Sequence, residues 1–228
     1  MKFIVDKELF DKYENLKIGV IICNNLNNNK EIDINDDFNK VKNDIKEKFS
    51  NIELAEYPII HKWREIYKSF GEKKARSSIE ALIRRTVNGK EIPNINPIVD
   101  IYNMISLKYE LPIGGEDLAK IENDIELTYA KGNEKFVELG STEEETVNEN
   151  EIVYKFDNTV ICRNFNYRES DITKLTEDTK DCVLVIESVL DSKIEEALEE
   201  LASQVESKLD ANCKINVLTK DNREVDIK

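Results

Sequence analysis

The sequence predicts an α+β domain, one compact unit with helices concentrated early and strands late. Three observations predict it. Apolar stripes at helical spacing follow one another between residues 36 and 111. Short β-branched and aromatic runs, separated by polar turns, fill residues 124–188. No internal repeat and no long flexible linker divides the 228 residues, a length that folds around its own core without staples.

The elements follow in order. "LKIGVIICNNL" is a buried strand entering an Asn turn. "DDFNKVKNDIKEKF" carries Phe38, Val41, Ile45 and Phe49 on one helical face. "HKWREIYKSFG" is a second helix, with Trp63, Ile66, Tyr67 and Phe70 inward and Gly71 as its stop. "KKARSSIEALIRRTVNGK" buries Ile79, Leu82, Ile83, Thr86 and Val87; Ser77 and Glu80 form a capping box, and Gly89 ends the helix. Asn96 caps the next helix and Pro97 starts it, until Pro112 closes it. "PIGGED" is then expected to be a loop whose glycines permit close backbone approach. "DIELTYA", "EIVYKF", "NTVICRNF" and "CVLVIES" are strands, and "GSTEEETVNENE" is expected to be a solvated acidic spacer. A helix follows with Ser192 and Glu195 as a second expected capping box, and "CKINVLT" is a last strand.

Composition narrows function. The longest apolar runs are too short to cross a bilayer, and the N-terminus mixes acids among its apolar residues, so no membrane partner and a cytoplasmic location are expected. A formal net charge of -14 argues against a general nucleic-acid coat and against DNA as a partner. Cys23, Cys162, Cys182 and Cys213 form no C-x-x-C pair, and His61 is the single histidine, so no metal and no cofactor are expected. The cysteines are read as core thiols and His61 as a surface residue. No phosphate-binding loop, nucleophile elbow or zinc-protease motif is present.

One stretch opposes the overall charge. Residues 73–90 hold Lys73, Lys74, Arg76, Arg84, Arg85 and Lys90 against the single acid Glu80. Behind it come Asp100 and Asn103, three apart on one helix, and the pair Gly114–Gly115. That succession suggests a pocket for a polar or anionic ligand. A plain solvated helix face explains the cations equally, and a buried bracing pair explains Asp100 and Asn103.

"RSSIEALIRRTVNGKEIPNINPIVDIYNMISLKYELPIGGEDL" resembles the editing region of the phenylalanyl-tRNA synthetase beta subunit, the B3/4 (B-three/four) domain. The resemblance rests on Ser78, Arg84 and Arg85, Gly89, Asn94 and Asn96, Val99-Asp100 with Asn103, and Pro112 followed by Asp117. Gly132 with Glu134, and Asp178-Thr179-Lys180, continue it. "WREIY" at Trp63 and "CRNFNYRES" at Cys162 resemble the stand-alone versions of the domain, which lack an aminoacylation module. The resemblance implies three stretches: residues 1–72 as a strand-and-helix part of the same domain, 73–210 as the editing-like core, and 211–228 as a terminal strand and tail.

In the synthetase this region hydrolyses tyrosine wrongly attached to the phenylalanine tRNA. The resemblance therefore implies binding of a tRNA acceptor end and hydrolysis of a misacylated ester, with an aminoacyl-tRNA synthetase as a possible partner. The alternative is a non-catalytic RNA-binding or amino-acid-binding module. Ser78 and Asn103 would orient ester and water, the Gly114 and Gly115 amides would approach the ester oxygen, and Asp100 would hold Asn103 or its helix. Tyr102 and Glu169 would line the substrate pocket, and Lys73, Lys74, Arg76, Arg84 and Arg85 would meet phosphates. Two positions depart from the synthetase pattern: Tyr102 replaces a Thr, and Gly114 replaces a His that contacts the substrate end.

Overall fold

The computed structural model describes residues 1–228. Its elements are β1 (Lys2–Val5), α1 (Lys7–Lys12), β2 (Lys17–Asn24), α2 (Asn35–Lys48), α3 (Pro58–Ser69), α4 (Ser78–Val87), α5 (Pro97–Tyr109), β3 (Ile113–Asp117), β4 (Ile125–Tyr129), β5 (Lys135–Val137), β6 (Glu144–Thr146), β7 (Ile152–Phe156), β8 (Thr159–Arg163), β9 (Arg168–Glu169), β10 (Cys182–Ser188), α6 (Ile194–Leu209), β11 (Asn212–Leu218) and β12 (Glu224–Asp226). They form an α+β domain with two mixed-order sheets. The larger runs β12-β1-β4-β7-β8-β5-β6, with β9 beside β8; the smaller runs β11-β2-β10-β3.

Side-chain alternation assigns the faces of the small sheet. In β2, Gly19 faces helix α6, and a Cβ there would sit 2.8 Å from Leu198. Across the ladder, Gly19 pairs with Ile186 and Ile186 with Ile113, so these residues share the helix-facing side. Helix α6 packs on β2, β10 and β11, and α5 packs on α6 and β3. The opposite face, carrying Gly114, Glu116, Val183, Val185 and Glu187, turns toward the large sheet. Covered on both sides, β10 is buried at every position, as a continuous apolar run requires. Most of the core forms one continuous cluster spanning both sheets and the helices.

The helix signals act locally as expected, with one exception. Ser77 accepts a hydrogen bond from Glu80 N–H at 3.3 Å, and Asn96 accepts from Val99 N–H at 3.2 Å. The expected box at Ser192 and Glu195 does not form. Lys193 takes the N-cap position without a side-chain bond, and Ser192 Oγ instead meets Ser188 Oγ at 2.7 Å. That contact ties the helix entry to the end of β10.

Two expected loops contain strands. "PIGGED" is not a loop: Ile113–Asp117 is edge strand β3, paired antiparallel with β10. The acidic stretch contains β6, where Glu145 meets Arg163 at 2.9 Å and Arg168 at 3.1 Å. Strands β1, β5, β9 and β12 and the short helix α1 were not expected from periodicity, since runs of two to six residues carry too few repeats. No helix is long and apolar enough to cross a membrane.

Candidate functional site

The inward faces of the two sheets flank a small inner chamber of about 30 Å³, room for about two water molecules. β3 supplies Gly114 and Glu116, and β10 supplies Val185 and Glu187. Opposite them stand Tyr154 of β7, Cys162 of β8 and Glu169 of β9, which are cross-strand neighbours and so share one face. An outer chamber of about 160 Å³ is lined by Tyr102, Val99, Lys174 and Leu175, with the exposed side chains of Ile95 and Leu139 at its rim. Gly115, Glu116 and Glu169 line both chambers and therefore form the neck between them.

The two glycines do different things. Gly114 faces the chamber, where a Cβ would lie 3.0 Å from Glu169 Oε1. The bare backbone is the space that the Glu169 carboxylate occupies. Gly115 faces the helices, where a Cβ would lie 2.6 Å from Leu184 and 3.2 Å from the Val183 carbonyl. Their amides also differ. Glu187 N–H donates to Pro112 O at 3.1 Å, so ladder bonds to β10 fall on residues 112, 114 and 116. Asp117 N–H instead donates outward to Thr173 O at 2.9 Å. By the same alternation Gly115 N–H lies on the free edge, and Gly114 N–H is consumed in the sheet. Only one of the two expected amides is available.

Three carboxyl groups face one another here, and no cation pairs with any of them. Burial pushes Glu169 up to about 7. Burial and the neighbouring charge of Glu169 hold Glu116 well above the usual carboxylate range. Burial also pushes Glu187 up to about 8, against the pull of its two donors. Those donors are Tyr154 O–H, at 2.5 Å, and the side-chain amide of Asn166. Burial, with Glu169 and Glu116 nearby, raises the Tyr102 phenol and the Cys162 thiol as well. Everything polar in the cleft therefore favours its neutral form below about pH 7, which low-dielectric surroundings impose on unpaired acids.

Asn166 links the cleft to the start of α4. Its Oδ1 accepts from Tyr67 O–H at 3.0 Å and from Ser78 N–H at 3.1 Å. Ser78 thus stands one hydrogen bond behind the chamber wall, with its own Oγ buried and unpartnered. Tyr102, Gly114, Gly115 and Glu169 come together as expected neighbours. Asn103 lines neither chamber. Asp100 does not hold Asn103: its Oδ1 accepts from Ile95 N–H at 2.9 Å and so pins the turn before α5. Glu116, Glu187, Tyr154, Cys162 and Asn166 were not singled out from sequence as pocket groups. The available signal was an acid inside an otherwise apolar strand, as in "CVLVIES".

The basic stretch divides in two. Glu80 is fully buried and takes Arg64 Nη2 at 2.6 Å, Arg64 Nε at 3.0 Å and Arg84 Nη2 at 3.0 Å, with Arg76 at 3.8 Å. Arg84 is therefore spent largely on an internal acid. Arg85 donates to Glu91 O at 2.5 Å. Lys73, Lys74 and Arg76 instead line a surface depression with Arg64 and Lys68 of α3, two cations that sequence reading left out. Other motif residues hold the fold. Thr179 Oγ1 donates to Asp117 Oδ2 at 2.8 Å, and Glu134 accepts from Lys131 and Gly132 amides at 3.0 and 3.1 Å. Gly132 has φ +87°, a conformation glycine accepts freely.

No curated protein matches the chain. Among solved structures, an N-terminal fragment of the phenylalanyl-tRNA synthetase beta-subunit from Pyrococcus horikoshii is similar, at 16% identity and a TM-score of 0.46. The match covers 92% of this chain and 49% of that one, so the chain spans about half the length of the synthetase fragment. The B3/4 domain family model matches residues 62–212, well over half of the chain. The chain belongs to the B3/4 domain family.

Proposed function

We propose that the chain binds the aminoacylated 3′ end of a tRNA and hydrolyses a misacylated ester there, as an editing-like domain. The observation that carries the reading is the neck of the cleft. A free backbone donor at Gly115 and a carboxyl at Glu169 pushed up to about 7 flank the passage between an outer and an inner chamber. Membership of the B3/4 family and the resemblance of the motifs to the synthetase editing region support the substrate class.

In this reading the outer chamber receives the ester with its terminal ribose, and the inner chamber supplies the attacking water. Ionised Glu169 takes a proton from water as the water oxygen attacks the ester carbonyl carbon. The carbonyl oxygen gains charge facing Gly115 N–H, which stabilises it. The bond to the ribose oxygen then breaks, and the proton held by Glu169 passes to that oxygen. The products are a free amino acid and a deacylated tRNA. Tyr102 shapes the outer chamber, while Ser78 acts through Asn166 on the chamber wall. Asp100 and Asn103 take a supporting place, bracing α5 beside the outer chamber. Lys73, Lys74 and Arg76, with Arg64 and Lys68, meet phosphates; Arg84 and Arg85 lend charge from behind.

The test is a panel of misacylated tRNAs incubated with the wild type and with Glu169→Gln. The amide keeps the contact with Gly114 and cannot take the proton. At least one substrate is deacylated, and the variant slows that reaction by about a hundredfold or more. If no substrate turns over above the uncatalysed rate, hydrolysis is refuted, and filter binding of the same tRNAs decides whether a binding module remains.

A further inference from the structure

We propose that Glu116, with Glu169 beside it, is a receptor for a primary ammonium group, which in the reading above is the α-ammonium of the aminoacyl ester. The inference rests on that reading for the ligand's identity and on the cleft alone for its chemistry.

The contrast within this protein is the argument. Three other buried glutamates are each compensated. Glu80 has Arg64 and Arg84. Glu151 takes Arg163 Nε at 2.9 Å and Nη2 at 2.5 Å. Glu134 takes backbone amides and has Lys155 at 3.7 Å. Glu116 is 7% exposed, lines both chambers, and has no amide, guanidinium or ammonium partner. Its polar neighbours are the Glu169 carboxyl and the fully buried Thr173 hydroxyl, which has no other partner. Burying a carboxylate unpaired costs several kcal/mol, roughly the stability of a weak domain. The fold avoids that cost by keeping a proton on the pair, which leaves acceptor positions facing an open passage.

A primary ammonium matches those positions. It brings one positive charge and up to three N–H donors on a compact head, whereas a guanidinium is wider and a quaternary ammonium has no donor. On binding, the cation favours the ionised pair, and a proton leaves to solvent. Glu169 is then left ionised, the state in which it can accept a proton from water. The charge on the substrate thus prepares the base that acts on its ester. A ligand acylated on nitrogen has neither the charge nor the donors. The groups facing the pair are Cys162 from β8, Tyr154 from β7, Glu187 from β10, Tyr102 from α5, and Thr173 and Lys174 from the segment before β10, Lys174 being paired with Asp171 at 2.8 Å. Burial holds the Glu187 carboxyl at about 8.

The test uses ligands that cannot be hydrolysed at an ester. Isothermal titration at pH 6 measures alaninamide, phenylalaninamide, tyrosinamide and benzylamine against their N-acetyl counterparts, in two buffers of different ionisation enthalpy. At least one free amine binds, releasing roughly one proton per ligand. Its N-acetyl counterpart binds about tenfold more weakly or worse, as does the free amine to folded Glu116→Gln. Equal binding of the acetylated ligand, binding without proton release, or no binding by any of the amines overturns the assignment. Amine binding together with failure to deacylate any tRNA refutes hydrolysis and leaves the receptor standing. Equally fast deacylation of aminoacyl- and N-acetyl-aminoacyl-tRNA does the reverse.

Discussion

Glu187→Gln should make this protein more stable at pH 8 and remove a large part of its pH dependence. Glu187 is buried at 2% exposure on β10, and burial raises it from 4.5 to about 8. A raised carboxyl binds its proton more tightly in the folded chain than in the unfolded one. Its contribution is therefore fully present below about pH 4.5 and is lost as pH rises to about 8. At roughly 1.4 kcal/mol per pH unit the loss is about 5 kcal/mol at most. For a chain of this length that is a fall in melting temperature of about 10–20 °C. Glutamine fits the same network: its amide oxygen accepts from the Asn166 amide, and its amide nitrogen donates to the Tyr154 oxygen, which can accept as readily as donate. The assay is urea unfolding of both proteins from pH 5 to pH 9. The wild type loses stability across pH 5–8, the variant loses less, and the curves cross so that the variant is the more stable at pH 8. Parallel curves would refute the reasoning, because they would mean that Glu187 ionises in the folded chain as it does in the unfolded one.

Four further outcomes follow from the geometry. Glu80→Ala costs about 2–3 kcal/mol in urea unfolding, since Arg64 and Arg84 lose their shared acceptor but are exposed enough to rehydrate. Burial raises Glu80 while Arg64 and Arg84 pull it further down, to below its ordinary value, so the wild type alone loses this contribution as pH falls below about 4.5. Gly115→Ala lowers thermal stability by about 1–3 kcal/mol, because its Cβ meets Leu184 and a backbone carbonyl; a neutral result would mean that β3 shifts freely. Lys73→Ala with Lys74→Ala weakens tRNA binding and flattens its log–log salt slope by about 1.5, measured by filter binding, and unchanged slope would remove the depression from the RNA surface. Iodoacetamide leaves Cys23, Cys162 and Cys213 unmodified in the folded protein at pH 7 and labels them on unfolding, since Cys23 and Cys162 are buried and all three thiols are held above their ordinary value.

Much of the fold was legible because its long elements announce themselves. Helices α2 to α6 each bury a stripe at helical spacing, and β2, β7, β8 and β10 are apolar runs of five to eight residues. β3 was missed for a physical reason: two glycines give a strand no side-chain signature, and here they exist because Glu169 and Leu184 occupy the space a side chain would need. The false capping box at Ser192 shows the opposite limit. The motif was present, but Ser188, four residues earlier at the end of β10, competed for the hydroxyl, a contact that the pattern of residues 192 and 195 alone does not register.

The site was legible in its parts and not in its logic. Sequence placed attention on the cations, since six of them in one stretch stand out against a chain at -14. Yet Arg84 has an internal partner in Glu80, so part of that charge answers a structural need. The opposite holds for the acids. In a chain rich in Asp and Glu, Glu116 and Glu187 attract no notice, Glu169 stands out only through the family resemblance, and only packing shows that the three share one cleft. Charge reports function where the fold leaves it unbalanced. By that criterion the proposed chemistry is sought at the neck beside Gly115, where buried acids meet a passage whose lining cation, Lys174, is paired with Asp171 at 2.8 Å.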